Sequence, residues 1–197
     1  MWIDSDILLA WGGIVKKYSK NEFIFMEGEE SRFYYQIMEG RIRMCCFNDD
    51  GKEFWQGEFH KGDSFGEPPL FADEKYPANA VADTDCVILK VTKSTLYKLL
   101  NEYPEIQKKI IISLSKRIVK KTLMTKELVS HNPKFRILSF LDRYKKDTDN
   151  TQVQIQIPYT RQEIANFTGL RVETIIRTLK ALDQEGIVKI KNRKVYY

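Results

Sequence analysis

The stretch at 160–184, TRQEIANFTGLRVETIIRTLKALDQ, restricts the possible folds most sharply, because it carries start, turn and stop signals for two short helices in succession. Thr160 and Glu163 make a capping box, in which a hydroxyl and a carboxylate each satisfy an orphan amide, so a helix begins at Arg161. Ile164 and Phe167 give it an apolar side. Thr168-Gly169-Leu170 then interrupts it with a glycine able to take the positive φ of a tight inter-helix turn. A second helix starts near Arg171. Its Ile175, Leu179 and Leu182 recur three or four apart and face a core, while Arg171, Glu173, Thr174 and Arg177 fall on the other side, and Gly186 stops it. Ala165, Gly169 and Ile175 stand where a helix-turn-helix needs a small residue at the crossing, a glycine in the turn and a branched apolar residue behind the exposed face. After Gly186, Ile187-Val188-Lys189-Ile190, a polar turn Lys191-Asn192-Arg193-Lys194, and Val195-Tyr196-Tyr197 read as a two-stranded wing. The plainer reading is an amphipathic helix with a solvated charged face; the agreement of cap, turn, crossing and wing favours a unit that reads DNA.

The net charge of +5 is unevenly spread. Residues 1–103 hold 12 basic and 18 acidic side chains, a net of −6, whereas 104–131 hold 7 and 2, and 132–197 hold 13 and 7, nets of +5 and +6. A polyanion partner therefore belongs at the back. With 43% hydrophobic and 30% charged residues, the chain fits neither the disordered nor the membrane class, and no apolar run approaches a bilayer span. The first residues, MWIDSDILLAW, carry acids where a secretory signal carries lysines, so a cytoplasmic location is expected. A length of 197 residues suits two small domains, each with a core.

The front half reads as β structure. Six of the ten glycines lie between Gly28 and Gly66, punctuating runs at 23–26, 34–38 and 41–47, and Asn48-Asp49-Asp50-Gly51 signals a hairpin turn. Ile42, Met44 and Cys46 alternate with Arg41, Arg43 and Cys45, the period of a strand with one buried face. A compact barrel or jelly roll follows. Cys45, Cys46 and Cys86 form an odd set without a CxxC pair, and are expected to be small buried residues, with adjacent Cys45 and Cys46 on opposite faces. His60 and His131 have no partner at metal-ligand spacing, so no metal is expected.

From 104 to 130 the pattern becomes one long helix. Pro104 suits its first turn, and Ile111, Leu114, Ile118, Lys121, Thr125 and Leu128 recur at alternating spacings of three and four, a coiled-coil seam. Lys121 interrupts the seam, beside Thr122 and Thr125. A lysine there meets an anionic effector or a partner-chain carboxylate, or else snorkels to the surface. Asn132-Pro133 breaks the helix and forms a hinge.

The segments T-R-Q-E-I-A at 160–165 and V-E-T-x-x-R at 172–177 resemble the winged helix of the Crp/Fnr family of bacterial transcription regulators. E-G-E-E at 27–30, M-E-G-R-I at 38–42 and G-D-S-F-G-E at 62–67 resemble the cyclic-nucleotide-binding β-roll of the same family, so the likeness spans nearly the whole chain. It implies that Glu173 and Arg177 are the main base readers, with Val172 and Ile176 beside them. Val172 matches the oxygen-responsive Fnr branch, where the catabolite-activator branch carries arginine, while Ile176 departs from the serine usual in Fnr-like helices. It implies half-sites close to TTGA, altered at the outer thymine by Ile176, and makes the 104–131 helix the dimerisation helix. The four-cysteine set of Fnr-type oxygen sensors is absent, so their iron-sulfur cluster is not carried over and no cofactor is expected. In cyclic-AMP-binding members the glycine and glutamate of G-D-S-F-G-E hold the ribose, and an arginine eleven residues after that glycine binds the phosphate. Here that position is Pro77, followed by Ala78 in place of a serine or threonine donor. Gly66 and Glu67 then serve either the fold alone or an altered site.

The expected protein is α+β, with an N-terminal double-stranded β-roll (jelly-roll) sensor at 1–103, a dimerisation helix at 104–131 and a C-terminal winged helix-turn-helix at 132–197. It is a homodimer on double-stranded DNA, contacting RNA polymerase if it activates, with no membrane partner and no enzymatic activity. The DNA-contacting set is Thr160, Arg161, Gln162, Arg171, Val172, Glu173, Thr174, Ile176, Arg177, Lys191, Arg193 and Lys194. An effector pocket for a small molecule other than cyclic AMP draws on Gly66, Glu67, Asn79, Lys121, Thr122 and Thr125. Two alternatives remain: a regulator that does respond to a cyclic nucleotide, and a cupin-type metal-binding protein, which needs histidines and a carboxylate converging inside the barrel.

Overall fold

The computed structural model describes residues 3–148 and 154–197. The chain divides into two compact units, Met1–Ile118 and Val119–Tyr197.

In the first unit, α1 (Ser5–Ala10) starts at Asp4, whose carboxylate accepts the Asp6 amide at 2.8 Å. There follow β1 (Ile14–Tyr18), β2 (Phe23–Phe25), β3 (Phe33–Glu39), β4 (Arg41–Phe47), β5 (Glu53–His60), β6 (Ser64–Phe65), α2 (Glu67–Ala72), β7 (Asn79–Ala82), β8 (Cys86–Thr92) and α3 (Lys93–Glu102). The strands form two antiparallel four-stranded sheets, ordered β1-β8-β3-β6 and β2-β7-β4-β5. The strand period of two sorts β3. Tyr35 and Ile37 enter a core with Phe25, Phe65, Ile42 and Ile88, while Tyr34 joins Leu89, Val91, Leu96 and Leu99 in a second core beneath the helices. Each fully buried leucine of that second core contributes about 1.5–3 kcal/mol. This is the expected jelly roll. Gly40, in the turn from β3 to β4, has φ +86°, and a Cβ there would fall 2.3 Å from the Asp85 carbonyl oxygen, so no other residue fits without a shift.

The 48–51 turn forms as expected: the Asn48 side chain accepts the Lys52 amide at 2.8 Å, and Gly51 has φ 72°. The alternation along β4 does not hold to its end. Met44 pairs with Gly57 but Cys45 pairs with Trp55, a bulge that breaks the period, so Cys45 is fully buried and Cys46 only half-buried. Burial, followed by the Glu53 carboxylate, pushes the Cys45 thiol up to about 12. Native protein treated with a thiol-specific disulfide reagent at pH 8 is therefore expected to leave Cys45 unmodified until it is unfolded; a native-state rate at Cys45 equal to that at Cys46 would contradict its burial.

α4 (Pro104–Val129) is a single helix. Ile106 and Ile110 are buried in the second core, and Leu114 packs partly against it, whereas Ile111 is 62% and Ile118 66% exposed, with Ile112, Val119 and Leu123 exposed nearby. The expected seam is thus divided: Leu114 belongs partly to the unit's own core, and the uncovered apolar row runs through Ile111 and Ile118.

In the second unit, Asn132 is less a break than a start. Its side chain accepts the Lys134 and Phe135 amides at 3.0 and 3.3 Å and caps α5 (Pro133–Asp147), with Pro133 in the first turn. β9 (Gln156–Ile157), α6 (Arg161–Thr168), α7 (Val172–Gln184), β10 (Lys189–Lys191) and β11 (Lys194–Tyr196) follow. Ile137, Leu141, Ile164, Ala165, Ile175, Leu179, Leu182 and Val195 are fully buried, and the rings of Phe140, Tyr159 and Phe167 pack at centroid distances of 5.2–5.5 Å. The wing has three strands rather than two, ordered β10-β11-β9, because Ile157 pairs with Val195. Its turn is also tighter than expected. Only Asn192 (φ 48°) and Arg193 (φ 61°) lie between the strands, both left-handed, as a two-residue turn compatible with strand twist requires.

Candidate nucleic-acid interface and sensor corner

The helix pair is set by local chemistry. Thr160 Oγ1 accepts the Glu163 amide at 3.2 Å and Glu163 Oε2 accepts the Thr160 amide at 2.6 Å, the reciprocal capping box. Gly169 closes α6 at φ 68°, and Arg171 precedes α7 in extended conformation. With Ile175, Leu179 and Leu182 inside, Arg171, Glu173, Ile176, Arg177 and Lys180 are exposed, and Val172 and Thr174 are half-buried. Glu173 and Arg177 make no ion pair among the described residues. Thr160 and Gln162 are exposed at the start of α6; Gln162 donates to the Asn166 side chain at 2.9 Å, and burial lowers the Arg161 guanidinium below its ordinary value. Lys191, Arg193 and Lys194 are exposed on the wing, which the Asp183 carboxylate ties to α7 by accepting the Ile190 amide at 2.9 Å. One surface therefore offers cations, a carboxylate and an apolar side chain, none of them committed to the core.

In the first unit, Gly66 stands at φ +80° ahead of α2, and Glu67 is buried with only 2% exposure. A buried carboxylate requires a partner. Glu67 has two: the Ser64 hydroxyl donates to Oε1, and Arg117 from α4 donates through Nη1 to both carboxylate oxygens at 3.2 and 3.1 Å. Arg117 Nη2 also donates to the Ser64 carbonyl at 2.6 Å, and the guanidinium lies 5.1 Å from the Phe59 ring centroid. A Cβ on Gly66 would meet Phe25, Tyr35 and Tyr76 at 3.4–3.5 Å. Those rings pack on one another beside Gly66: Phe25 and Tyr76 stack at 3.7 Å, and Tyr35 and Phe65 at 5.1 Å.

Residues 15–103 match the cyclic nucleotide-binding domain, and residues 135–196 match the Crp-like helix-turn-helix domain. The chain belongs to the Crp/Fnr family of transcription regulators. It is 26% identical over 184 residues to the cAMP-activated global transcriptional regulator Vfr of Pseudomonas aeruginosa, covering 90% of this chain and 86% of that protein. It is 25% identical over 194 residues to the cAMP-activated global transcriptional regulator CRP of Salmonella typhimurium, covering 92% and 88%. Its fold matches that of the c-di-GMP responsive global regulator CLP of Xanthomonas campestris, with a TM-score of 0.81 and 22% identity over 97% of this chain and 98% of that one.

For this Crp/Fnr regulator the remaining pocket candidates are dispersed in role. The Asn79 side chain accepts the Glu27 amide at 3.0 Å and donates to the Cys45 carbonyl at 3.3 Å, which commits it to holding strands. Lys121, Thr122 and Thr125 are exposed on the second-unit part of α4, where the Thr125 hydroxyl donates to the Lys121 carbonyl at 3.0 Å. The cation on Glu67 is Arg117, not the Lys121 expected in the effector pocket. A cation one helical turn before Lys121 was the available signal, masked by the charged residues around it. Among the described residues no group of three or more His, Cys, Asp or Glu is placed to hold a metal ion, and His60 pairs with Glu58 at 2.7 Å. No helix among them is long and apolar enough to cross a membrane.

Proposed function

We propose that this regulator acts in the cytoplasm as a non-catalytic homodimer on an inverted repeat, and that cyclic AMP is not its effector. The domain plan is a roll at 1–103, a dimer helix at 104–131 and a reader at 132–197. The Glu67–Arg117 pair carries the effector part of this reading. The carboxylate that in nucleotide-binding relatives holds a ribose is already engaged, the rings of Phe25, Tyr35 and Tyr76 stand close against Gly66, and Pro77 supplies neither side-chain donor nor amide for a phosphate. Desolvating a phosphate there without a free cation costs several kcal/mol. Isothermal titration with cyclic AMP and cyclic GMP is expected to give no binding in the micromolar range. Micromolar binding that also tightens DNA affinity would overturn this part and restore the nucleotide-responsive alternative.

For DNA, Arg177 forks onto a guanine and Glu173 accepts from a cytosine amine, flanked by Val172 and Ile176, with Thr160, Arg161, Gln162, Arg171 and Thr174 positioning the helices and Lys191, Arg193 and Lys194 on phosphate. One such helix presents too small a face for strong selection, and two related by a dyad sit about 34–36 Å apart, one turn of DNA. Half-sites close to TTGA, altered at the outer thymine, follow from the family likeness; polymerase is a partner if the protein activates. The exposed row through Ile111 and Ile118 supports α4 as the dimer seam. Ile118→Glu is expected to raise the dimer dissociation constant at least ~100-fold by setting like charges across the seam, while leaving the protomer folded. Sedimentation that still gives a dimer would remove α4 as the interface.

A further inference from the structure

Ile176 is the apolar exception on the outer side of α7. Of the large apolar side chains of that helix, Ile175, Leu179 and Leu182 are fully buried and Val172 is half-buried, whereas Ile176 is 42% exposed. At about 100° per residue Glu173, Lys180 and Gln184 fall in line along the outer face, with Arg177 to one side of that line and Ile176 to the other. A shallow groove of about 500 Å3 runs along this stripe, and Ile176 and Ala181 are its apolar parts. Val172, one turn before Ile176, extends the apolar edge. A single exposed isoleucine is ordinary on most surfaces. Here it stands among groups offered to a polyanion, in a segment with 13 basic and 7 acidic side chains, and it has no donor or acceptor of its own.

The chemistry of the DNA surface narrows what such a side chain can meet. Among the hydrogen-bonding atoms that base pairs present in the major groove stands one apolar group, the C5-methyl of thymine. An isoleucine set against a donor or acceptor strips that atom of water and returns no hydrogen bond, which disfavours the base that carries it. Set against the methyl, it removes two apolar surfaces from water at once. Attraction and exclusion then act on the same base pair.

We propose that Ile176 is a specificity-determining residue that reads the C5-methyl group of one thymine in each half-site, through an apolar contact flanked by Val172. This role rests on α7 being the reading helix, and it concerns a base pair other than the one that Arg177 forks onto.

Deoxyuridine in place of thymine removes the methyl and nothing else. The test is therefore fluorescence anisotropy of the full chain on an operator it has selected from random DNA, with each thymine replaced in turn and symmetrically in the two half-sites. One buried methyl contact is worth about fourfold in affinity, so one symmetric replacement is expected to weaken the wild-type protein about fifteenfold. Ile176→Val, which keeps a branched apolar end, is expected to retain that loss, and in Ile176→Ser it is expected to shrink to within about twofold. Each variant is compared with itself on two DNAs, so a change in its folded fraction or its phosphate contacts cancels. If no replacement weakens the wild-type protein more than about twofold, or if Ile176→Ser keeps the full loss, the assignment is overturned. Arg177→Ala on the same operators keeps the two readings apart. Relaxed preference at a guanine without any methyl effect leaves α7 as the reading helix and removes Ile176 as a methyl reader, whereas a methyl effect that Ile176→Ser abolishes supports the assignment whatever Arg177→Ala does.

Discussion

Replacing Arg117 with methionine is expected to lower the unfolding free energy of the first unit by about 3 kcal/mol, the low end for breaking a buried ion pair. The low end applies because the arginine side chain is 25% exposed while that of Glu67 is 3% exposed, so water screens only one partner. Methionine preserves most of the aliphatic packing beside Phe59, which isolates the charge. The carboxylate left behind keeps only the Ser64 hydroxyl. Adding Glu67→Gln should recover most of the loss, since an amide in that place costs far less to bury than an unpaired carboxylate. Urea unfolding of the single and double variants checks this. If Arg117→Met and the double variant are equally destabilised, the loss comes from packing and the pair contributes little.

The second large effect falls on DNA. Arg177→Ala is expected to weaken the cognate site by about 1–3 kcal/mol and relax preference at one base pair, because a forked contact to guanine is lost and Lys180, the exposed cation one turn on, is a point charge without that fork. A wing change such as Lys191→Ala should behave differently, weakening all sequences alike and reducing the salt slope by about one. Competition binding with point-substituted operators at two salt concentrations separates them. Unchanged sequence preference in Arg177→Ala would mean that α7 is not the reading helix.

The reader unit was legible in the sequence to within a residue or so because its determinants are local: a capping box, a glycine at positive φ, and a three-four apolar period each act over one or two helical turns. The parts that escaped reading depend on distant partners. Gln156–Ile157 is two residues long and becomes a strand only because Val195 and Tyr196 lie beside it. The bulge opposite Cys45 is decided by β5, not by β4. Leu114 keeps seam spacing yet turns partly toward Ile106 and Ile110, since a helix face can be shared between an internal core and a partner. Arg117 was hidden for the same reason: in sequence it is one more charge on a basic helix, and its meaning comes from a carboxylate fifty residues earlier.

The third wing strand has a kinetic meaning. Ile155 and Tyr197 exchange two backbone hydrogen bonds, at 2.8 and 2.9 Å, and the Tyr197 hydroxyl donates to Asp142 at 2.6 Å, so both helices of the reading pair lie inside a loop closed by its own ends. Closing such a loop carries an entropy cost that α6 and α7, each formed locally, do not bear. The clasp therefore closes late in folding, and while it holds, neither helix can peel away without reopening it. Amide exchange in α6, α7 and β11 should then report one shared opening event, a single foldon in which the wing acts as the latch.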